Sequence, residues 1–149
     1  MAVRVGVAAL VVYSDGELRM LIGKRKGSHG AGTWQLPGGH LEFGESFEEC
    51  ARREVLEETN LEVSDATFLT ATNDIMHDEN KHYVTIFMLC KVDASAAQNV
   101  RVMEPHKCEC WHWIPLSDLK NEQSTYRPLF LPLKHLAELD HTVMLKYGL

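Results

Sequence analysis

Cysteine and proline are scarce in this sequence, and long apolar runs are absent. The 149 residues include four cysteines and five prolines. Four irregularly spaced cysteines do not suggest a disulfide scaffold, so we expect a cytoplasmic protein with reduced thiols. No stretch reaches the roughly 20 apolar residues of a membrane-spanning helix, which argues against a membrane partner. The apolar run 3–13 is short and ends in a turn, which favours a first strand over a signal peptide.

Basic residues are outnumbered by acidic ones, with 15 Lys and Arg against 21 Asp and Glu and a formal net charge of −6. A long nucleic acid calls for a basic surface, so this balance argues against such a partner. A small anionic ligand is compatible with the charge if a metal ion and local basic residues offset it. The hydrophobic fraction of 45% is ordinary for a globular protein, and the length predicts a single domain over residues 1–149.

Turn residues divide the chain into short strands and a few helices. Residues 3–13 and 18–23 flank Ser14-Asp15-Gly16 and predict a β-hairpin. A basic, glycine-rich loop at 24–32 precedes a short strand at 33–36, which Pro37-Gly38-Gly39 ends. The later elements are predicted as strands at 63–75, 82–92 and 108–114, a helical turn at 115–119 and a closing helix at 129–139. Strands on both sides of a long central helix predict an α/β or α+β sandwich.

The long helix is predicted over residues 46–59 from its own start and stop signals. Ser46 followed by Glu49 fits a capping box, in which both side chains satisfy free backbone donors of the first turn. Asn60 tolerates the left-handed conformation that ends a helix. The first half of this helix is expected to anchor in the core through Phe47, Cys50 and Ala51.

The second half of the same helix carries three carboxylates, Glu54, Glu57 and Glu58, at spacing i, i+3 and i+4. This spacing places them on one helix face, where like charges destabilise an isolated helix by a few tenths of a kcal/mol per pair. A chain that keeps such a cluster is expected to use it. Hard divalent cations are the usual reason, because Mg²⁺ prefers oxygen ligands and bridges to substrate phosphates.

The segment from Gly39 to Leu61 resembles the signature of the Nudix hydrolases, which cleave a nucleoside diphosphate linked to another group. Only Asn60 departs from the family pattern, which normally has glycine there, and asparagine adopts the same backbone conformation. The resemblance extends to nucleotide-pool members from eukaryotes and to small plant cytosolic members, and it covers most of the chain. The segments that carry it are LPGGHLEFGES, HYVTIFM, Met103–Pro105 and CECWHW, together with Gly39-x5-Glu45-x7-Arg53-Glu54-Val55-x-Glu57-Glu58-x-Asn60-Leu61.

The resemblance implies an α/β/α sandwich with a mixed β-sheet, a homodimer and a divalent cofactor, Mg²⁺ or Mn²⁺. Its implied metal ligands are the carboxylates of Glu54, Glu57 and Glu58 with a backbone carbonyl from the glycine pair, here Gly38 or Gly39. The implied catalytic residues are Glu54, which orients or deprotonates the attacking water, Arg53, which holds that carboxylate, and Glu58. Glu45 is expected to support the loop before the helix.

The sequence indicates the substrate-binding residues less clearly than the metal ligands. Within the basic run 24–26, Arg25 is the preferred phosphate contact, because it would point opposite to its neighbours if the strand continues; a solvated loop is the alternative. By resemblance, the positions that line the base site are Gln35, Leu36, His40, Thr85, Phe130 and Leu133. Without the resemblance, the apolar members of this set would be predicted as ordinary core residues.

The strand at 108–114 offers a competing interpretation. Cys108, Cys110 and His112 alternate on one predicted face, but zinc sites usually draw ligands from separate elements, so a soft-metal site is not favoured. The opposite face, with Trp111 and Trp113, is expected to build core or a dimer interface. Glu104 and Glu109 are candidate accessory ligands or bases, and Glu104 is the weaker candidate.

The expected activity is Mg²⁺-dependent hydrolysis of nucleoside triphosphates to the monophosphate and pyrophosphate. Modified purine nucleotides such as 8-oxo-dGTP are among the expected substrates, by resemblance, in a nucleotide-pool role. Hydrolysis of an isoprenyl diphosphate or a pterin triphosphate is the alternative within enzymes. A catalytically inactive binding module is the alternative outside them, and it is disfavoured because Arg53 and all three helix carboxylates are present.

Overall fold

The structure, a computed structural model, describes residues 2–27 and 29–149; Ser28, in the predicted loop 24–32, lies outside the described residues. One sheet contains seven strands within these ranges: β1 (Arg4–Ser14), β2 (Leu18–Arg25), β3 (Trp34–Gln35), β4 (Gly38–His40), β5 (Asp65–Met76), β6 (Lys81–Lys91) and β7 (Cys108–Pro115). The helices are α1 (Phe47–Thr59), α2 (Ala94–Ala97), α3 (Leu131–Glu138) and α4 (His141–Leu145), with a 3-10 turn at Leu116–Lys120.

The sheet is mixed and lies between helices. Its strand order is β3-β2-β1-β6-β5, with β4 pairing on β1 and β7 on β2. β1 runs parallel to β6, and the other pairs are antiparallel. Side chains of β1 alternate between the two faces: Val11 packs in the cluster that contains Val55 of α1, and Leu10 in the cluster that contains Leu133 of α3. The predicted sandwich with a mixed sheet is therefore confirmed.

Local sequence signals place several elements correctly. The first hairpin forms with Ser14 opposite Leu18. Ser46 caps α1: its hydroxyl accepts from the Glu49 N–H at 3.0 Å, and the Glu49 carboxylate accepts from the Ser46 N–H at 3.1 Å. Asn60 ends the helix with φ 67°. These features depend on residues a few positions apart, so the sequence pattern suffices to predict them.

The predicted anchoring of Phe47 is wrong. Its exposure is 40%, whereas Cys50 and Ala51 are buried. Burial on this face starts only at Cys50, because the whole preceding turn, 46–49, is open to solvent. The apolar stripe therefore holds α1 to the sheet from its second turn onward.

The two glycines after Pro37, predicted only to end a strand, belong to a strand of their own. Gly38, Gly39 and His40 form β4 and pair with Ala8, Val7 and Gly6 of β1. A Cβ on Gly38 would lie 2.2 Å from the Val7 carbonyl oxygen, so the close approach of the two backbones requires glycine. The helices α2 and α4 are also unpredicted, because four or five residues are too few to show a helical period.

A β-bulge in β7 overturns the predicted face of its cysteines. Gly23 pairs with Trp111, but Arg25 pairs with Cys108, so β7 has one extra residue between these pairs. Cys108 consequently packs on the same side of the sheet as Trp111, and Cys110 packs on the other side. The tryptophans belong to the core: Trp111 donates its indole N–H to the Glu58 carbonyl at 3.1 Å, and Trp113 packs against the same cluster.

No helix among the residues described above is long and apolar enough to cross a membrane.

Candidate active site

A cavity of about 660 Å³ extends from the second half of α1 to the start of α3. Most of the catalytic, metal-binding and substrate-binding residues predicted from the sequence line this cavity. The nominated residues that line it are Arg25, Gln35, Leu36, Gly39, His40, Glu54, Glu58, Thr85, Phe130 and Leu133. Arg53 and Glu57 are not part of this lining.

The acidic end of the cavity is formed by Glu54 and Glu58. Burial raises the pKa of Glu58 to about 8; the nearby carboxylates of Glu54 and Glu104 add to this, and a hydrogen bond from the Gly38 N–H at 2.7 Å opposes it. Burial also raises the pKa of Glu54, against the opposing effect of Arg53. Both carboxylates are therefore costly to ionise in the absence of a cation, and a bound cation would favour their ionised forms.

The backbone of β4 lies directly against Glu54. A Cβ on Gly39 would approach a Glu54 carboxylate oxygen to 2.4 Å, so no side chain fits at this position. Within the described ranges no three acidic, histidine or cysteine side chains are close enough to form a complete metal site by themselves. Two carboxylates with a backbone carbonyl nevertheless fit Mg²⁺ or Mn²⁺, because Mg²⁺ commonly takes one or two carboxylates and completes its shell with water and substrate phosphates.

Arg53 holds the acidic end in position from outside the cavity. Its guanidinium donates to Glu45 at 2.6 and 3.0 Å and to Glu54 at 2.8 Å. These bonds lower the pKa of Glu45 to about 2 and raise the pKa of Arg53. The expected support by Glu45 therefore takes a specific form: Glu45 fixes Arg53, and Arg53 orients Glu54.

Glu57 stands apart from the other two helix carboxylates. Its side chain is 52% exposed, and its nearest cation is Arg53 at 3.4 Å. Three and four residues correspond to about 300° and 400° on a helical wheel, so Glu57 and Glu58 lie on opposite sides of Glu54. Only the Glu58 side turns into the cavity, because the sheet lies there.

Glu104 is better placed than Glu109, contrary to the order expected from sequence. The Glu104 carboxylate is close enough to raise the pKa of both Glu54 and Glu58. Glu109 instead pairs with Lys24 at 3.7 Å, with its side chain 47% exposed. The loop before β7 returns over α1, which the linear sequence does not indicate.

Arg25 lines the cavity, while Lys24 pairs with Glu109 outside it. Lys26 lines the cavity as well, contrary to the expected alternation, because β2 ends at Arg25.

The Arg25 guanidinium donates to the side-chain oxygen of Gln35 and, at 3.0 Å, to the His29 carbonyl. It lies 4.0 Å from the centre of the Phe130 ring. Burial lowers the pKa of Arg25, with the opposing influence of Glu58 next in size. Its position is thus fixed by an amide, a carbonyl and an aromatic face.

His40 and Tyr83 form a second polar group on the cavity wall. Their rings stack at 5.6 Å with an interplanar angle of 11°, and the His40 Nε2 lies 3.0 Å from the Tyr83 hydroxyl. Sequence reasoning missed Tyr83. The period of two along β6 could have found it, because Tyr83, Thr85 and Phe87 share one face of a strand and all line the cavity.

Away from the carboxylates, the cavity combines apolar side chains with the hydroxyl of a threonine. Leu36, Phe87 and Leu133 are each less than 10% exposed, and Thr85 lies among them at 5%. Behind Thr85 is Asp74, which is completely buried and was also missed. No local pattern marks Asp74, since two of its partners, Thr85 and His135, come from other parts of the chain.

Comparisons with known proteins agree with this geometry. A family model described as NUDIX domain matches residues 3–132. The chain is 30% identical over 136 residues to the oxidized purine nucleoside triphosphate hydrolase of Mus musculus, covering 88% of this chain and 86% of that protein. It is 24% identical over 123 residues to the phosphatase NudJ of Escherichia coli K12, covering 81% and 74%.

A solved structure shows the same fold. The MutT NUDIX hydrolase from Burkholderia pseudomallei superposes with a TM-score of 0.77 at 30% identity, covering 93% of this chain and 98% of that one. The family match spans most of the chain and includes β4, α1 and the strands that form the cavity. This protein is therefore a member of the Nudix family and a hydrolase.

Proposed function

We propose that this protein is a Mg²⁺-dependent pyrophosphohydrolase that cleaves nucleoside triphosphates to the monophosphate and pyrophosphate. Oxidised or otherwise modified purine nucleotides, such as 8-oxo-dGTP, are the proposed substrates. The observation that carries the proposal is the cavity itself, in which a carboxylate end and an apolar end with a threonine hydroxyl are joined in a single space. The name of the mouse relative, an oxidized purine nucleoside triphosphate hydrolase, supports the same substrate class.

Glu54, Glu58 and the Gly39 carbonyl would hold Mg²⁺ or Mn²⁺, which supplies charge neutralisation on the diphosphate and acidifies bound water. Glu57 is proposed to contribute from the rim of the site. Glu54 accepts the proton of the attacking water, because Arg53 fixes its carboxylate at 2.8 Å. Arg25 contacts the phosphates, and the anhydride bond between the α- and β-phosphates breaks.

A hydrolysis screen tests this proposal. Candidate substrates are dGTP, 8-oxo-dGTP, other nucleoside triphosphates and geranyl diphosphate, each incubated with Mg²⁺ or with EDTA, and chromatography identifies the products. We expect a purine triphosphate to give its monophosphate only in the presence of Mg²⁺. Glu54→Gln should lower kcat about 100-fold to 10,000-fold, as loss of a general base does.

Glu48→Gln is the matched control for this variant. It removes the same charge from the same helix, but Glu48 pairs with Arg52 on the exposed surface, at 3.1 Å. Turnover that survives Glu54→Gln would overturn the catalytic assignment. An absence of turnover for every substrate would favour an inactive binding module.

An isoprenyl diphosphate is the second candidate substrate. The apolar lining by Leu36, Phe87 and Leu133 favours it, because an isoprenyl chain needs no hydrogen-bond partner. A pterin triphosphate, with a polar ring, would use Thr85 as a nucleobase does. Preferential turnover of geranyl diphosphate in the screen would retain the metal chemistry and change the substrate class.

We also propose a cytoplasmic homodimer. Exposed apolar side chains support an interface between copies, among them Phe43, Phe47 and Phe68. Light scattering after size-exclusion chromatography tests it, and a mass near 16.9 kDa would exclude the dimer.

A further inference from the structure

A buried carboxylate, Asp74, stands directly behind Thr85 in the cavity wall. Thr72 lies opposite Thr85 in the pairing of β5 with β6, so Asp74, two residues further along β5, reaches the same face. The Asp74 side chain is completely buried, and Thr85 is 5% exposed. The cavity lining includes Thr85 but not Asp74. Asp74 is therefore linked to the cavity by its hydrogen bond with Thr85 and not by direct contact.

Three donors converge on the two Asp74 oxygens. The Thr85 hydroxyl lies 2.5 Å from Oδ2 and the Thr72 hydroxyl 2.9 Å from the same oxygen. The His135 Nδ1 lies 2.7 Å from Oδ1, and its side chain is 32% exposed. Both hydroxyl groups donate to Oδ2 of Asp74, so both hydroxyl hydrogens point towards Asp74.

This arrangement determines what Thr85 can offer to a ligand. A threonine hydroxyl has one hydrogen and two acceptor sites, and the hydrogen is already used by Asp74. The hydroxyl therefore presents only lone pairs to the cavity. The side chains of Leu36, Phe87 and Leu133, which line the same cavity, have no hydrogen-bonding group.

We propose that Asp74 is a specificity-determining positioning residue that makes Thr85 an obligate acceptor, so that the site selects purines with a ring N–H donor. The N1–H of a 6-oxopurine and the N7–H of an 8-oxopurine are such donors, whereas the ring nitrogens of adenine are acceptors and its donor is the exocyclic 6-amino group. This inference rests on the proposed nucleotide hydrolysis. An adenine ring nitrogen facing Thr85 would leave two buried acceptors in contact without a hydrogen between them.

The test compares dITP, which has an N1–H and a 6-oxo group, with dATP, which has an unprotonated N1 and a 6-amino group, in the presence of Mg²⁺. We expect the wild type to favour dITP by about tenfold or more in kcat/KM, mainly through KM. Thr85→Val removes the acceptor, and Asp74→Leu frees the Thr85 hydrogen to rotate into the cavity. Each variant should lower the dITP/dATP ratio about tenfold, and the double variant should lower it no further than either single one.

Two matched variants distinguish a specific effect on the Thr85 hydroxyl from a general disturbance of the structure around it. Thr72→Val removes a donor from the same Asp74 oxygen but lies outside the cavity lining, so the ratio should be retained. Thr85→Ser keeps the hydroxyl and should also retain it. If Asp74→Leu does not fold, as judged by circular dichroism, comparing Thr85→Val with Thr85→Ser still shows whether the Thr85 hydroxyl determines the dITP/dATP ratio.

The outcomes distinguish this inference from the proposed function. A wild type that hydrolyses nucleoside triphosphates but shows no preference for dITP overturns the inference alone. An unchanged ratio in folded Thr85→Val or Asp74→Leu does the same, as does an equal loss in Thr72→Val. A wild type that hydrolyses no nucleoside triphosphate at all overturns both.

Discussion

The two ends of the cavity use buried carboxylates in opposite ways. At the acidic end, burial outweighs the hydrogen bonds that Glu54 and Glu58 receive, and the pKa of each is raised. At the apolar end, Asp74 is more deeply buried but has three hydrogen-bond donors. Glu54 and Glu58, whose burial is not offset by hydrogen bonds, would be stabilised by a bound cation. Asp74, which accepts hydrogen bonds from several groups, instead fixes the orientation of those groups.

The two ends also differ in how the chain assembles them. Glu54 and Glu58 stand one helical turn apart on α1, so a rigid element fixes their spacing. Leu36, Thr85 and Leu133 come from three distant segments, and their spacing depends on the sheet register and on the seating of α3. Substitutions at the acidic end should therefore affect kcat, and those at the apolar end should affect KM.

Gly39→Ala is expected to have the largest effect at the acidic end. The added Cβ would approach the Glu54 carboxylate to 2.4 Å and displace it from its position against β4. We expect kcat to fall about 100-fold, as when a positioned catalytic group is displaced, together with weaker Mn²⁺ binding by calorimetry. Gly6→Ala is the steric control in the adjacent strand: it also adds a methyl group to the cavity wall, but its Cβ would meet nothing closer than 3.8 Å. An unchanged kcat in Gly39→Ala would show that the contact between the Gly39 backbone and the Glu54 carboxylate is not needed for catalysis.

Leu133→Ala tests whether the apolar end of the cavity contributes to substrate binding. Leu133 is 2% exposed and lines the cavity, so its truncation should lower the free energy of unfolding by about 2–5 kcal/mol and raise KM with little change in kcat. Leu136→Ala is the control, since Leu136 is 1% exposed on the same helix and cluster but does not line the cavity. It should lose similar stability at unchanged KM. An equal rise in KM for both variants would attribute the effect to stability alone.

Glu45→Gln is expected to have the smallest effect, and that effect depends on pH. Arg53 lowers the pKa of Glu45 to about 2, below its ordinary value of 4.5. The ion pair therefore stabilises the fold fully above pH 4.5 and loses its contribution as the pH falls towards 2. At pH 7 the variant should be less stable by about 1–3 kcal/mol, measured by urea denaturation. The difference between variant and wild type should narrow at pH 3.5; a gap independent of pH would contradict the ion pair as its source.

The fold and the acidic end could largely be predicted because their signals are local. The capping box of Ser46 with Glu49, the left-handed Asn60 and the face shared by Glu54 and Glu58 all depend on residues within about one helical turn. The alternation that points Arg25 inward and Lys24 outward is equally local. Short-range hydrogen bonds and steric limits act in the same way in any tertiary context.

The errors arise where distant segments meet. β4 exists only because Gly38 and Gly39 can approach β1, and the bulge in β7 is defined by its partner β2. The sequence by itself determined the helix, its caps and the presence of a carboxylate cluster. Tertiary packing sets three features that the sequence does not show: Glu58 and not Glu57 lines the cavity, Glu104 lies close enough to raise the pKa of Glu54 and Glu58, and Asp74 stands behind Thr85. The physical reason is that burial and long-range pairing, which set charge and hydrogen-bond direction, exist only after the chain has folded.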